Sequence, residues 1–452
     1  MNSISNRVSI RRVYRTWWPL AASWLLMGIE GPAVSAAMAR LADPEIQLAA
    51  YGGVVFPLAL IIEAPIIMLL SASTALAKDE TAYRKVFRFM MITGFVLTVL
   101  HLVVAATPVY YAVVRGLLGV PEEIIEPART GLILMTPWTW AVAYRRFQQG
   151  VLIRFGRSRA VGVGTLVRLA VAGLALIIGS RIGWSGIVVG TVAQSVSVIA
   201  EALFAGWRVQ PVLRQEVFTR QSDDPFRWRS FFAFYVPLAL MQVLTFLWNP
   251  IGSAAISRMA NPLDSLAAWP VVTGLIFMLR SPGFAYNEVV VALLDEEGSS
   301  RSLQRFSIAL AGGTSLLFFL VAATPLSEFW FRTVSALNPD LVAISTNGIW
   351  LALPIPFLTT AISWYQGTIV YGKRTGGIPE AVVVFLITAL VVLGYGIWRG
   401  DITGLYVGIA ALSLASFTQS MWLWFRSRPV IRQVQARDEV KLHAASDWPA
   451  PQ

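Results

Sequence analysis

Long apolar stretches, separated by short polar turns, run through the whole chain. Each stretch is long enough to cross a bilayer core of about 30 Å as a helix, and a spanning helix satisfies its backbone hydrogen bonds internally. The predicted spans are 16–38, 48–76, 86–108, 125–147, 160–179, 184–206, 231–257, 265–292, 305–327, 341–366, 378–397 and 402–424. The pattern therefore predicts an all-α, polytopic membrane protein with twelve transmembrane helices.

The same pattern occurs twice along the chain. Residues 32–44 (PAVSAAMARLADP) match residues 250–262 (PIGSAAISRMANP) at an offset of 218, and VAATP at 104–108 returns at 321–325. Because each copy holds six spans, both copies have the same orientation in the membrane. Membrane transporters are often built from such repeats and bind their solute between them. We therefore predict two six-helix repeats that enclose a crevice at mid-membrane depth.

The longest polar gap in the chain separates the two copies. It divides the sequence into an N-terminal six-helix bundle (1–207), a cytoplasmic linker (208–230), a C-terminal six-helix bundle (231–426) and a cytoplasmic tail (427–452).

Composition and charge agree with a membrane location. Hydrophobic residues make up 56% of the chain and charged residues 13%, the mean hydropathy is +0.63, and cysteine is absent. Most of the 36 Lys and Arg residues fall in alternate loops, including a group at 145–159. This bias predicts a multi-pass protein of the inner or plasma membrane with both termini in the cytoplasm. The net charge of +11 then serves topology and contacts with anionic lipids, and no nucleic-acid partner is predicted.

Four charged residues are predicted near the middle of the membrane, where charge is costly and often functional. Glu30 and Glu63 are candidates for carrying H⁺ or Na⁺, with Arg168 as their counter-ion. A static Glu–Arg pair that only fixes helix register is an equal alternative, and contact with the substrate is a third. Glu201, towards the cytoplasmic end of its span, is predicted to be a vestibule residue or a snorkelling group.

The fourth mid-membrane charge, Arg280, is predicted to bind an anionic group of a substrate, because arginine stays protonated and binds carboxylate or phosphate with two hydrogen bonds. A pair with Glu288 or with a helix C-terminus is the alternative. The other candidate substrate-binding residues are polar groups within the spans: Asn249, Asn287, Gln242 and His101. For His101, a hydrogen bond to a neighbouring helix is the simpler reading. Gln366 begins a Gln-Gly step that matches Gln149-Gly150 in the first copy, and both glutamines are predicted to be structural.

Motifs of hydrolytic enzymes are absent from the sequence. It has no Gly-x-x-x-x-Gly-Lys phosphate loop and no His-Glu-x-x-His zinc motif. We therefore expect neither enzymatic activity nor a cofactor or metal, apart from H⁺ or Na⁺ as a coupling ion.

The repeat and several short segments resemble the multidrug/oligosaccharidyl-lipid/polysaccharide (MOP) exporter superfamily, with its multidrug and toxic compound extrusion (MATE) transporters, and within it the progressive ankylosis (ANK) family. The segments are 18–21 (WPLA), 236–239 (VPLA), 28–31 (GIEG) and 99–101 (VLH). The resemblance implies a V-shaped molecule with a central cavity and export of small organic anions such as citrate, nucleotides or pyrophosphate. Glu30 and His101 fall where the ANK family also carries Glu and His.

These observations predict a secondary transporter that works by alternating access, as a monomer among membrane lipids, and exports a small, anionic solute. Two alternatives remain at this stage: an H⁺- or Na⁺-coupled multidrug exporter of the MATE type, and a flippase for lipid-linked saccharides.

Overall fold

The computed structural model describes residues 8–220, 226–296, 298–372 and 376–446, with side chains as far as Asp438. Within these residues the chain forms twelve long helices, which confirms the predicted all-α fold. They are α1 (Ile10–Met38), α2 (Pro44–Leu76), α3 (Glu80–Ala106), α4 (Ile125–Leu134 and Thr136–Arg154), α5 (Ser158–Ile182), α6 (Gly186–Val217), α7 (Trp228–Ile256), α8 (Pro262–Leu293), α9 (Ser299–Ala323), α10 (Pro339–Tyr371), α11 (Gly377–Arg399) and α12 (Gly404–Ser446).

Ten of these helices are long and apolar enough to cross a membrane, judged by length and composition. The other two are α4 and α12. Helix α4 is interrupted at Met135 and carries Arg145 and Arg146 in its second segment. Those two arginines belong to the group that the sequence assigned to a cytoplasmic loop. The structure corrects this assignment for Arg145, whose side chain is buried inside the first bundle.

Local sequence explains where the helices begin. Proline is favoured in the first turn of a helix. The N–H groups of that turn have no acceptor within the helix, so a residue without an N–H group loses no hydrogen bond there. Pro44 begins α2 and Pro262 begins α8, at equivalent positions of the two repeats. The residues before them, Asp43 and Asn261, both adopt left-handed backbone conformations, with φ of 52° and 51°. Asp and Asn tolerate this region better than other non-glycine residues. The two copies therefore share a backbone conformation at this turn as well as a sequence pattern.

Helices α1 and α2 of the first half pack against α7 and α8 of the second. Helix α1 packs against α8 in an antiparallel arrangement, and α2 packs against both α7 and α8. Close approach depends on small residues. A Cβ atom on Gly28 would lie 3.2 Å from the backbone of Met278, and one on Gly52 would lie 2.6 Å from the ring of Pro270. The interface between the halves is therefore tight where α8 packs against α1 and α2.

Helices extend into the predicted linker and tail. Helix α6 continues to Val217, α7 begins at Trp228, and residues 221–225 lie outside the described part of the chain. Helix α12 continues to Ser446, with residues 447–452 also outside the described part. The domain boundaries themselves remain predictions.

Two arginines at equivalent positions of the repeats connect the halves at the end of the bundle opposite the termini. Arg40 donates hydrogen bonds to the carbonyl oxygens of Thr333 and Val334, both at 2.9 Å. Arg258 donates to the carbonyl oxygens of Leu118 at 2.7 Å and Leu117 at 2.8 Å. We call these contacts the interhalf arginine bridges.

Each bridge also holds its own helix end. Arg40 donates to the carbonyl oxygen of Ala36, and Arg258 donates to that of Ala254, both at 2.6 Å. Each guanidinium therefore links the last turn of one helix to the other half. This twofold arrangement closes the bundle at the end away from the termini.

We predict that replacing both arginines with alanine separates the halves at this end. Exposed hydrogen bonds of a charged donor contribute about 1 kcal/mol each to stability, so losing both bridges shifts the population towards an open form. Because the chain has no cysteine, cysteines introduced at Leu117 and Phe329, both exposed, take spin labels specifically. The expected result is a longer inter-label distance in Arg40→Ala/Arg258→Ala than in the parent.

The matched control is Arg181→Ala, which removes an exposed arginine near the end of α5. Its distance distribution should equal that of the parent. Equal distributions in the double variant and the parent would show that the bridges do not hold the halves together.

Candidate functional site

A cavity of about 590 Å³ lies between the two halves. Its walls come from α1, α2 and α6 of the first half and from α7, α8, α10, α11 and α12 of the second half. Its volume is in the range of pockets that hold drug-sized ligands. The cavity therefore agrees with the predicted crevice between the repeats.

Two charged residues line this cavity, Glu30 and Arg280. Glu30 lies on α1 in the segment Gly28–Pro32, where Gly274 of α8 faces the ring of Pro32. The close packing of α1 and α8 turns Glu30 towards the interior. Asn249, a predicted substrate-binding residue on α7, also lines the cavity.

Arg280 forms no ion pair with any residue that the structure describes. Its guanidinium lies over the ring of Phe284, 4.9 Å from the ring centre, and its Nε atom has no hydrogen-bond partner. In the part of the chain that the structure describes, no carboxylate is close enough to act on it, and this includes Glu288, the partner that the sequence offered as an alternative. A half-buried guanidinium without a counter-ion is a favourable site for an anion.

Aromatic side chains form two walls around the cavity. On α8, Phe277, Arg280 and Phe284 follow one another at helical spacing on one face, and the rings of Phe277 and Phe284 lie 5.7 Å apart. In a second group, Trp248 of α7 packs against Trp269 of α8 at 6.3 Å and edge-on against Phe385 of α11 at 5.6 Å. The cavity is thus apolar over most of its surface and charged at a few points.

Glu30 belongs to a buried network of charges in the first half. Arg168 donates to Glu30 at 2.9 Å, and its Nε atom lies 3.6 Å from Glu201. Arg145 forms an ion pair with Glu201 at 2.5 Å. Gln149 donates a hydrogen bond to the other oxygen of Glu201 at 2.9 Å.

Glu201 is therefore the centre of the network, with a relative exposure of 1%. This corrects its prediction as a vestibule residue. The depth of a residue along its own helix does not show that a neighbouring helix covers it, and α4 covers Glu201 with two of its side chains.

Glu63 lies near this network but pairs differently. It is 2% exposed, and one of its carboxylate oxygens has no hydrogen-bond partner. Arg145 and Arg146 are its electrostatic neighbours. Glu63 does not line the cavity between the halves, and neither does Arg168. The predicted ion-coupling residues are thus divided between the cavity wall and the interior of the first half.

His101 is fully buried between α3 and α4. One ring nitrogen, Nε2, lies 2.9 Å from the carbonyl oxygen of Leu132, and Nδ1 lies 2.8 Å from the hydroxyl of Thr139. A carbonyl only accepts, so Nε2 carries a proton and Nδ1 accepts from Thr139. Both nitrogens are satisfied by helix-to-helix contacts, and His101 lies away from the cavity.

The remaining predicted residues lie near the cavity without lining it. Asn287 donates to the side-chain oxygen of Gln366 at 3.4 Å, and Gln366 itself lines the cavity. Gln242 on α7 lies outside the lining. The sequence treated Gln366 as structural, and its cavity position depends on the rotation of α10, which hydropathy does not reveal.

No family model matches this chain, and no curated protein matches it in sequence. Solved structures match its fold over nearly the whole length. A MATE multidrug-resistance transporter of the MOP superfamily in an inward-facing conformation has a TM-score of 0.68 at 15% identity, over 91% of this chain and 96% of that one. The outward-facing conformation of a MATE multidrug-resistance transporter of this superfamily has a TM-score of 0.65 at 15% identity, covering 95% and 97%.

A third similar structure is the lipid II flippase MurJ in an inward closed conformation. It has a TM-score of 0.63 at 12% identity and covers 96% of this chain and 93% of MurJ. These similarities concern the arrangement of helices. They show that the chain has the all-helical fold of the MATE transporters of the MOP superfamily.

Proposed function

We propose that this protein is a secondary transporter that exports a small anionic solute by alternating access, with Arg280 as the anion-binding residue. The observation that carries the proposal is the uncompensated guanidinium of Arg280 in a cavity between two repeats. A charge in that position is stabilised by a ligand of opposite charge, which gives the cavity a preference for anions.

Alternating access is supported by the architecture. Related folds occur in inward-facing and outward-facing conformations among MATE transporters. In this chain the halves meet at a cavity, and the interhalf arginine bridges close one end of the bundle through hydrogen bonds to carbonyl oxygens. Such contacts break and re-form without loss of the packing inside each half. We infer that the halves move largely as rigid bodies.

We propose that Glu30 couples transport to H⁺ or Na⁺, with Arg168 as its counter-ion and Glu63 as a second candidate carrier. One oxygen of Glu30 accepts from Arg168 and the other has no hydrogen-bond partner. A carboxylate with a free oxygen at a cavity wall is a suitable acceptor for a cation that enters through the cavity. The same pair as a static helix contact is the competing interpretation, and the Glu30 experiment below separates the two.

Among the other candidates, we propose that Asn249 contacts the solute, because it lines the cavity. Asn287 is assigned an indirect role through Gln366. Gln242 and His101 lie outside the lining in this conformation. We therefore do not assign them a contact with the solute.

Two other functions are supported by specific observations. The fold of MATE multidrug-resistance transporters supports a cation-coupled exporter of amphipathic drugs, in which Glu30 rather than Arg280 controls binding. The similarity to the lipid II flippase MurJ supports a flippase for lipid-linked saccharides. Membership of the ANK family would favour organic anions as the substrate class.

We propose a monomer in the inner or plasma membrane, with both termini in the cytoplasm and with lipids as its other partners.

We predict that Arg280→Ala abolishes most anion transport. A hydrogen-bonded ion pair contributes about 1.5–3 kcal/mol, so solute affinity should fall by roughly tenfold or more. The measurement is flux of organic anions in proteoliposomes made with the parent and the variant. Arg399→Ala is the control, because Arg399 pairs with Asp401 in an exposed turn. Unchanged anion flux in Arg280→Ala would remove Arg280 from the mechanism.

We predict that Glu30→Gln uncouples transport. Glutamine keeps the shape but cannot exchange a proton or neutralise Na⁺, so stimulation of flux by a pH or Na⁺ gradient should disappear while solute binding persists. A static pair predicts the opposite: lower thermal stability with coupling retained. Efflux of cationic dyes that is lost in Glu30→Gln and kept in Arg280→Ala would favour the multidrug alternative.

A further inference from the structure

The charges that face the cavity fix its net charge. Glu30 and Arg280 are the charged residues of its lining. The charge of Glu30 is compensated by Arg168 at 2.9 Å, whereas Arg280 has no compensating carboxylate in the described chain. The cavity therefore holds one uncompensated positive charge, and a single negative charge on the ligand neutralises it.

Neutral polar groups surround the rest of the anion position. Thr359, Ser363 and Gln366 follow one another along one face of α10, and Ser416 and Gln419 lie one turn apart on α12. The side chain of Thr359 approaches Gly283, which lies one turn from Arg280 on α8. The hydroxyls of Thr359 and Ser416 already donate to carbonyl oxygens one turn back in their own helices. The neutral donors left for an anion are Ser363, Gln366 and Gln419, and none of them carries a charge. A second negative charge would remain without a counter-ion in an apolar surrounding, which is unfavourable.

Aromatic rings supply most of the remaining surface near Arg280. Phe277 and Phe284 lie on either side of Arg280 along the same face of α8. Trp248, with Trp269 and Phe385 packed on it, adds a second aromatic group to the cavity lining. Flat rings pack well against such walls in stacked or edge-on geometries. A small hydrophilic anion such as acetate would leave this surface in contact with water.

We propose that the cavity binds a singly charged anion joined to a flat, aromatic body, with the anionic group on Arg280 and the body against the aromatic rings of the lining. The inference rests on the proposed function and narrows its substrate class. It places compact polyanions, such as tricarboxylates and pyrophosphate, among poor ligands because of their extra charge. It also excludes organic cations as the preferred class.

The test is equilibrium binding to the purified full-length protein, measured by titration calorimetry. The probe is 1-naphthoate. Matched compounds change one property each: 1-naphthamide removes the charge, 1-naphthylmethylammonium reverses it, and citrate and pyrophosphate add charge without the ring. We expect 1-naphthoate to bind at least about tenfold more tightly than any of the others.

Three variants locate the binding site. Arg280→Gln should weaken 1-naphthoate binding by about tenfold or more, and Arg280→Lys should recover part of it because the charge is retained. Phe277→Leu should weaken 1-naphthoate binding by roughly threefold to tenfold through loss of ring contacts. Arg181→Gln, an exposed arginine on α5, should bind like the parent. Circular dichroism and thermal unfolding verify that each variant is folded.

The outcomes separate this inference from the proposed function. Tighter binding of citrate or pyrophosphate that depends on Arg280 overturns the substrate class and leaves an anion transporter. Tighter binding of the naphthyl ammonium, or 1-naphthoate binding that Arg280→Gln does not change, overturns both. A folded parent protein that does not bind 1-naphthoate at millimolar concentration overturns the substrate class.

Discussion

The low dielectric environment of the bundle interior is the constraint on which this structure depends. An ionised side chain there must be paired, hydrogen-bonded or supplied with a ligand. The first half meets this requirement internally for four of its charges, because Glu30, Arg168, Glu201 and Arg145 form one connected network. In the second half, Arg280 reaches the cavity beside the ring of Phe284 and forms no ion pair among the described residues. Equivalent scaffolds thus contain different chemistry.

This division separates two tasks. The ionic interior of the first half includes one member, Glu30, that also faces the cavity. The cavity itself is formed mostly by helices of the second half, with aromatic rings and neutral polar side chains around one cation. A coupling ion and a solute can therefore be bound at two different points of the same cavity. Glu30 and Arg280 lie on α1 and α8, the helices that pack together across the interface.

Much of the fold was predictable from the sequence because hydropathy is a one-dimensional property. The twelve apolar stretches and the repeat at 32–44 and 250–262 predicted the helices, and the structure extends most of them by a few polar residues at each end. A static pair of Arg168 with one of the glutamates was foreseen as an alternative, without the choice of Glu30 over Glu63. The central place of Glu201 and the burial of Arg145 were not. Those features depend on which helices are neighbours and how each helix is rotated about its axis. The position of a residue along its own helix does not show either of these. His101 illustrates the same limit, since its two partners lie about 30 to 40 residues away in sequence.

The interhalf arginine bridges have an evolutionary consequence. Their acceptors are backbone carbonyl oxygens, which every amino acid provides. The segment that Arg258 contacts reads Gly116-Leu117-Leu118, whereas the segment that Arg40 contacts contains Thr333-Val334. After a duplication, these loop side chains were free to diverge as long as each arginine and the path of the main chain persisted. Selection that preserves the bridges therefore acts on the two arginines and on the loop backbone. The side chains of the partner loops can change without loss of these hydrogen bonds.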